Sequence, residues 1–229
     1  MFLRNLFAPK KYVSKAKLIC VGNVVVGGSG KTPTAISIAE FLQAHKMRVA
    51  FITRGYKGKY KDVWVEKKHT AYDVGDEPLI LSLVAPTYVC SSRLKAVKKI
   101  ENKFDAIIFD DALHYTQLKM DFTLMVFDGK IGVGNNALLP AGPLRESLVS
   151  GIAKSNAVVI VGEDKTKIIS KIAASKLPIF KANITPEKIK LKTKKIVAFA
   201  GIGRPEKFFE TLNNMGYEIV KKYEFADHH

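Results

Sequence analysis

The stretch Lys17-Leu18-Ile19-Cys20-Val21, followed closely by Gly27-Gly28-Ser29-Gly30-Lys31-Thr32, decides the fold of this chain. The first part is a short apolar run that predicts a buried strand. Behind the glycines, small and apolar residues recur at the spacing of an amphipathic helix, at Ala35, Ile38, Ala39 and Leu42. A strand, a glycine-rich loop and a helix in this order predict a phosphate site, because the loop amides and the helix N-terminus attract an anion.

The candidate nucleotide-binding residues are the six of the glycine-rich loop, Gly27, Gly28, Ser29, Gly30, Lys31 and Thr32. Lys31 supplies a point charge for the outer phosphates of ATP, and the Thr32 hydroxyl is placed to ligate Mg²⁺. Val25 stands where the strict P-loop pattern has its first glycine. The alternative is a glycine-rich turn that merely joins strand to helix, but the flanking elements favour a nucleotide site.

Length and composition describe an ordinary soluble globular protein. The 229 residues are 47% hydrophobic and 25% charged, enough to bury a real core. The two cysteines, Cys20 and Cys90, lie in apolar runs without metal-ligand spacing, which predicts core residues in a reducing compartment. No stretch of the sequence approaches the ~20 apolar residues that a membrane span requires.

The charge balance is strongly basic, with 37 Lys and Arg against 21 Asp and Glu and a net charge of +16. Such an excess attracts an anionic membrane surface, a phosphorylated substrate or nucleic acid, and a solvated lysine-rich surface stays open as the alternative. We expect no nucleic acid partner, because basic and aromatic residues are not interleaved. Residues 1–7 contain several large apolar side chains and are followed by lysines, which fits either a weak interfacial membrane anchor or a frayed terminus. A signal peptide would need a longer apolar core and a cleavage site of small residues.

Strands and helices alternate along the chain, which predicts an α/β fold of the P-loop NTPase type with a doubly wound, mostly parallel sheet. We expect a nucleotide-binding core over residues 1–180 and the beginning of a smaller C-terminal α/β lobe over 181–229. Predicted strands cover residues 17–21, 48–53, 62–66, 88–90, 106–111, 123–127, 157–161, 196–200 and 217–223. Predicted helices lie at about 33–43, 79–84, 94–103 and 206–215.

Asp110 and Asp111 end the apolar run Ala106-Ile107-Ile108-Phe109. A buried strand of this kind delivers its terminal carboxylate to the edge of a parallel sheet, beside the phosphate loop. Carboxylate oxygens are ligands that Mg²⁺ prefers, so Thr32, Asp110 and Asp111 are the candidate metal ligands.

Several further motifs, in a fixed order, resemble the tetraacyldisaccharide 4'-kinase family, the lipid A kinases. They are Val21-Gly22-Asn23, the glycine-rich loop with Pro33, Arg54-Gly55-Tyr56, Gly75-Asp76-Glu77-Pro78, Asp110-Asp111, the run Leu138-Leu139-Pro140-Ala141-Gly142-Pro143-Leu144-Arg145-Glu146, Phe199-Ala200-Gly201-Ile202, Pro205, and Asp227-His228-His229. The resemblance implies transfer of the ATP γ-phosphoryl group, with Mg²⁺, to the 4'-hydroxyl of a tetraacyl glucosamine disaccharide 1-phosphate. It also implies a peripheral location on the cytoplasmic face of the inner membrane.

The same resemblance implies roles for individual residues. It implies that Asp76 is the catalytic base that accepts the substrate proton. The histidine partner of this base lies in the D-H-H motif, at His228, and Lys31 is also catalytic. Asp76 has an alternative role as the N-cap of the helix that begins at Glu77, and His228 an alternative as a tail residue. Three arginines are candidate contacts for substrate phosphate or headgroup, namely Arg54, Arg93 and Arg145.

Three departures from the family pattern qualify these expectations. Ala112, Leu113, His114 and Tyr115 stand where the family usually continues the acidic pair with G-[LF]-Q-H. The family carries a membrane-associated helix before the glycine-rich loop, and it continues well beyond D-H-H. The alternatives are therefore a weak or inactive nucleotide-binding remnant of such a kinase, or another P-loop ATPase at the membrane surface.

Overall fold

A computed structural model describes residues 10–186 and 191–226. The chain divides into two compact units, residues 1–182 and 183–229. The expectations that fall on the N-terminal apolar residues 1–7 and on Asp227, His228 and His229 lie outside the described residues.

The first unit is a sheet of eight strands flanked by helices. Its strands are β1 (Lys17–Gly22), β2 (Val49–Thr53), β3 (Val63–Trp64), β4 (Thr87–Val89), β5 (Ala106–Asp110), β6 (Phe122–Asp128), β7 (Ala157–Val161) and β8 (Ile179–Ala182). Its helices are α1 (Lys31–Ala44), α2 (Ala71–Val74), α3 (Asp76–Ser82), α4 (Arg93–Ile100), α5 (Leu148–Ala153) and α6 (Ile168–Ile172).

The strands are ordered β3-β4-β2-β5-β1-β6-β7-β8, so β1 and its glycine-rich loop lie at the centre of the sheet. All neighbouring pairs are parallel except β3 with β4, where a two-residue edge strand runs antiparallel. The register aligns Val21 with Asp110, so that β1 and β5 end together. This confirms the predicted α/β, mostly parallel fold and places the glycine-rich loop beside the acidic pair.

Helices cover both faces of the sheet, and each face has its own buried cluster. Ala35 and Ala39 of α1 and Leu81 of α3 pack on one face. On the other face lie residues of α4 and α6, such as Val97 and Ile168. Strands buried on both faces read as continuous apolar runs, which is why the sequence pattern located them well.

The second unit contains β9 (Lys195–Ala200), α7 (Pro205–Asn214) and β10 (Glu218–Glu224). The two strands pair in parallel, and Phe209 of α7 packs against Ala198 and Ala200. No helix among residues 10–186 and 191–226 has the length and apolar character that crossing a bilayer demands.

Candidate active site

The glycine-rich loop leads directly into α1, whose N-cap residue is Gly30. Gly30 has a φ of 88°, a left-handed conformation that glycine adopts without strain, and it has no side chain to occupy the first helical amides. A side chain there would also meet Val161 of β7 at 3.1 Å. The first amides of α1 therefore face the loop and are available to an anion.

Lys31 and Thr32 begin α1 and project toward the sheet edge. Lys31 Nζ donates to the carbonyl oxygen of Gly27 over 3.3 Å, which folds the lysine back across the loop. Thr32 Oγ1 donates to Asp110 Oδ2 over 2.8 Å. The structure thus brings together the lysine, the hydroxyl and the first carboxylate that the sequence analysis selected.

Asp110 is 5% exposed, and burial raises the pKa of its carboxyl group to about 7. The negative charge of Glu77 raises this pKa further, whereas the hydrogen bond from Thr32 and the charge of Lys31 oppose the shift. Asp110 Oδ1 has no hydrogen-bond partner among the described residues, and neither does the buried Ser29 Oγ in the loop. Unpaired oxygens beside a hydroxyl and a glycine-rich loop fit a hard cation and a phosphate group.

No cluster of three or more His, Cys, Asp and Glu side chains that could hold a metal occurs in the described part of the chain. In nucleotide sites Mg²⁺ is held by one or two protein ligands together with the phosphates. The residues present, Thr32 and Asp110, fit that type of site.

Asp111 turns away from Asp110 to different partners. Its φ is 59°, in the left-handed region that Asp tolerates better than most residues, and its carboxylate Oδ2 accepts from Arg145 Nη1 over 2.7 Å. Arg93 Nη2 donates to the Asp111 carbonyl oxygen over 2.8 Å. The structure therefore joins Asp111 to two of the three candidate arginines. Its role as a metal ligand stays a prediction, carried by Oδ1, which has no partner among the described residues.

Arg93 is 8% exposed and its guanidinium lies 5.5 Å from the centroid of the Tyr115 ring. Burial lowers the pKa of this guanidinium. In this conformation Arg93 binds the backbone of Asp111, and its role as a substrate contact stays a prediction. Its burial could not be predicted from the sequence, because the Tyr115 ring and the Asp111 carbonyl that surround the guanidinium come from another segment.

The loop over residues 137–146 lies beside the chain that enters the glycine-rich loop. Leu144 forms a β-bridge with Val25, and Val26 donates its amide to the Pro143 carbonyl over 2.9 Å. Val25 is 4% exposed, so the residue at the usual position of the first P-loop glycine serves as a core contact for this loop. Arg145 is thereby placed beside the acidic pair.

Asp76 begins α3, directly after Gly75, and its Oδ1 accepts from the amide of Glu77 over 2.9 Å. A side chain at Gly75 would meet the Tyr56 carbonyl oxygen at 2.6 Å, so the G-D-E turn packs backbone to backbone against the R-G-Y loop. Arg54 is exposed at the start of that loop, and Lys61 Nζ donates to its carbonyl oxygen over 2.7 Å.

Glu77 is the functional candidate that the sequence analysis missed. Its negative charge acts to raise the pKa of the Asp110 carboxyl group. The acceptor-base role of Asp76 stays a prediction, as does that of His228, which lies outside the described residues.

Comparison with known proteins identifies the family of this chain. The family model described as tetraacyldisaccharide-1-P 4'-kinase matches residues 2–229. Tetraacyldisaccharide 4'-kinases from Paramagnetospirillum magneticum and Rhodospirillum rubrum are each 40% identical to this chain, over 99% and 93% of its length. The matches span 71% and 66% of those two proteins, so the chain covers about two thirds of the length of these curated relatives.

A solved structure, that of LpxK from Aquifex aeolicus in complex with ATP, matches 96% of this chain and 74% of its own. Its TM-score is 0.77 at 27% sequence identity. That relative was solved with ATP, the ligand that the glycine-rich loop predicts here. The resemblance inferred from the motifs is confirmed, and the chain belongs to the tetraacyldisaccharide 4'-kinase family.

Proposed function

We propose that this chain transfers the γ-phosphoryl group of ATP to the 4'-hydroxyl of a tetraacyl glucosamine disaccharide 1-phosphate. Family membership supports this activity. The observation that carries it is the hydrogen bond from Thr32 to Asp110, next to Lys31, with the G-D-E turn near enough for Glu77 to act on Asp110. These contacts support a nucleotide site at this edge of the sheet, and Asp76 as the acceptor base is part of the proposal.

In this mechanism the loop amides and Lys31 bind the triphosphate and neutralise part of its charge. Thr32 and Asp110 would hold Mg²⁺, which, when bound, offsets the negative charge on the phosphate oxygens. Asp76 accepts the proton of the 4'-hydroxyl as the new O–P bond forms and the bond between the γ-phosphorus and its bridging oxygen breaks, with ADP as the leaving group. The family resemblance implies that His228 is the histidine partner of this base. Arg145 can exchange its carboxylate partner for a phosphate, because a guanidinium binds both in the same geometry.

We further propose that the protein works at the cytoplasmic face of the inner membrane, where its acylated substrate lies. The net charge of +16 supports attraction to an anionic lipid surface. Co-sedimentation with vesicles containing anionic lipid, with and without residues 2–11, tests this. Equal binding to neutral vesicles would contradict the proposal.

Transfer of radiolabel from [γ-³²P]ATP to the acylated disaccharide tests the function directly. We expect a labelled lipid product that requires both Mg²⁺ and the acceptor. ATP binding without product would identify a nucleotide-binding remnant. Hydrolysis that does not depend on the acceptor would identify another kind of ATPase.

A further inference from the structure

The R-G-Y loop, residues 54–61, is closed on itself by a single ammonium group. Lys61 Nζ donates to the Arg54 carbonyl oxygen over 2.7 Å and to the Gly55 carbonyl oxygen over 2.5 Å. The Gly58 amide donates to the same Gly55 oxygen over 3.0 Å. Hydrogen bonds from a charged donor are stronger than those between neutral groups, so the end of the loop fixes the backbone at its start.

The end of this loop is itself anchored to β4 and the turn that follows it. Asp62, the residue after Lys61, accepts from the Ser91 amide over 3.2 Å and from the Ser91 hydroxyl over 2.5 Å. The hydrogen bonds from Ser91 lower the pKa of the Asp62 carboxyl group, so it is ionised at neutral pH. The Tyr88 hydroxyl donates to the Asp62 carbonyl oxygen over 2.7 Å. Lys61 therefore extends from a backbone that β4 and its turn hold in place.

The middle of the R-G-Y loop supports the G-D-E turn, which carries Asp76. The Lys59 amide donates to the Tyr72 carbonyl oxygen over 3.1 Å, and the Tyr60 amide donates to the Asp73 carbonyl oxygen over 2.6 Å. Both carbonyl groups belong to α2, which ends just before the turn. A change in the position of the loop would therefore displace the proposed acceptor base.

Lys61 also adds a positive charge beside two of the candidate arginines. Burial lowers the pKa of the Lys61 ammonium group, and the charge of Arg54 lowers it further. Burial lowers the pKa of the Arg93 guanidinium as well, and the charge of Arg54 acts on it in the same direction. Like charges that act on one another in this way repel, and a phosphate group bound among them would relieve that repulsion.

We propose that Lys61 is a positioning residue that holds Arg54, and through the G-D-E turn Asp76, in place for the phosphorylated sugar acceptor. The inference rests on the proposed kinase function for its effect on the acceptor, whereas its effect on the loop does not. Lys61 touches neither nucleotide nor acceptor in this proposal. It binds the Arg54 backbone, so this contact does not use the guanidinium that would meet the acceptor phosphate.

Three variants separate the hydrogen bonds of Lys61 from its charge. Lys61→Met keeps an apolar stem and removes the donor together with the charge. Lys61→Ala leaves room for an added propylammonium ion, which carries N–H donors, whereas tetramethylammonium carries the same charge without a donor. Lys59→Met is the matched control, because it removes one lysine from the same loop, and Lys59 Nζ lies 5.9 Å from the centroid of the Tyr60 ring.

Steady-state kinetics are measured for the full chain with MgATP and the acylated disaccharide 1-phosphate, together with thermal melting and amide hydrogen exchange at Gly58 and Tyr60. We expect Lys61→Met to lower kcat/KM for the acceptor about tenfold and to leave the KM for MgATP nearly unchanged, which matches the loss of hydrogen bonds from a charged group. Exchange at both amides should accelerate in Lys61→Met and stay slow in Lys59→Met. Propylammonium should restore part of the activity of Lys61→Ala, and tetramethylammonium should not.

Unchanged exchange and unchanged kcat/KM in Lys61→Met would overturn the proposal. Equal losses of activity in Lys61→Met and Lys59→Met would also overturn it, since charge alone would then explain them. So would equal rises in both KM values with a lower melting temperature, which indicate a general loss of structure.

Failure of the proposed function has a different result. If the unmodified chain forms no phosphorylated lipid, the kinase proposal fails. Binding of the acylated disaccharide 1-phosphate in detergent micelles, titrated without ATP, and the exchange at Gly58 and Tyr60 then still decide the role of Lys61. Weaker binding and faster exchange in Lys61→Met alone would support that role, and equal values in Lys61→Met and Lys59→Met would contradict it.

Discussion

Thr32, in the first turn of α1, donates its hydroxyl hydrogen to Asp110, the last residue of β5, across 2.8 Å. The two residues are 78 positions apart, and the central position of β1 between β5 and β6 brings them together. This contact links the glycine-rich loop to the acidic pair. The predictions below test the residues around it.

Replacement of Lys31 by methionine should weaken ATP binding by about tenfold to a hundredfold, because it removes a charge-assisted contact with the phosphates. Lys31 lies across the loop on Gly27, so its loss should leave the fold and the melting temperature nearly unchanged. Isothermal titration with MgATP measures the effect. Lys95→Met, at an exposed lysine of α4, is the control and should bind ATP normally. Equal affinities in both variants would contradict the role of Lys31.

Asp76→Asn should abolish phosphoryl transfer and leave ATP affinity within about twofold, because the amide cannot accept a proton but can still accept the bond from the Glu77 amide. Asp73→Asn offers a matched control. Asp73 accepts from the backbone and hydroxyl of Thr70 in a capping box, and because an asparagine oxygen can still accept these bonds, the control should keep both its stability and its turnover. Near-normal transfer by Asp76→Asn would show that Asp76 is not the acceptor base. The alternative role as N-cap is wrong, since the N-cap of α3 is Gly75 and Asp76 is the first residue of the helix.

Asp110 should make the stability of the nucleotide-free protein fall as pH rises from about 4 to about 7. The folded carboxyl group has a pKa near 7, raised mainly by burial, whereas in the unfolded chain it ionises near 3.8. In that window the folded state holds one more proton than the unfolded state, so each step up in pH favours unfolding. Above about pH 7 the Asp110 carboxyl group is ionised in both the folded and the unfolded state, so it no longer makes the free energy of unfolding depend on pH.

Asp110→Asn removes this titration while keeping an oxygen that accepts from Thr32. Denaturant unfolding of both proteins in EDTA at pH 5, 6, 7 and 8 measures the difference in the free energy of unfolding. We expect the variant to gain stability relative to the parent up to about pH 7 and to keep that gain at pH 8. A difference that does not change with pH would contradict the raised pKa.

Gly75→Ala should destabilise the protein by about 3 kcal/mol and lower turnover, since the new methyl group meets the Tyr56 carbonyl oxygen at 2.6 Å and adds backbone strain at φ 92°. Gly162→Ala is the control, because Gly162 has a φ of 78° and open space around the new methyl group. In Gly162→Ala, backbone strain alone should lower the free energy of unfolding by about 1–2 kcal/mol. Similar losses in the two variants, with turnover retained in both, would show that the close approach of the R-G-Y loop does not position Asp76.

The fold could be predicted where strands are buried on both faces. The strand over 157–161 was located to the residue, and β1, β2, β5 and β6 to within one or two residues. The prediction missed β8, whose residues are half-exposed at the sheet edge and include Lys181. It also missed α5 and α6, which are too short to show a helical period.

The site could be predicted only where one segment carries its own chemistry. The glycine-rich loop and the end of β5 do, and the structure brings Lys31, Thr32 and Asp110 together. The influence of Glu77 on Asp110, the burial of Arg93 and the contact of His114 with Glu146 depend on segments that meet only in the folded chain. Spacing along one sequence carries no information about such pairs.

At the left-handed Asp111 the two neighbouring carboxylates have different partners, Thr32 for Asp110 and Arg145 for Asp111. Asparagine accepts the same backbone conformation with little cost. A single nucleotide change that converts this aspartate codon into an asparagine codon would therefore delete the charge opposite Arg145 without disturbing the architecture. A variant of this kind would keep the shape of the site, and only a measurement of phosphate binding would reveal the missing charge.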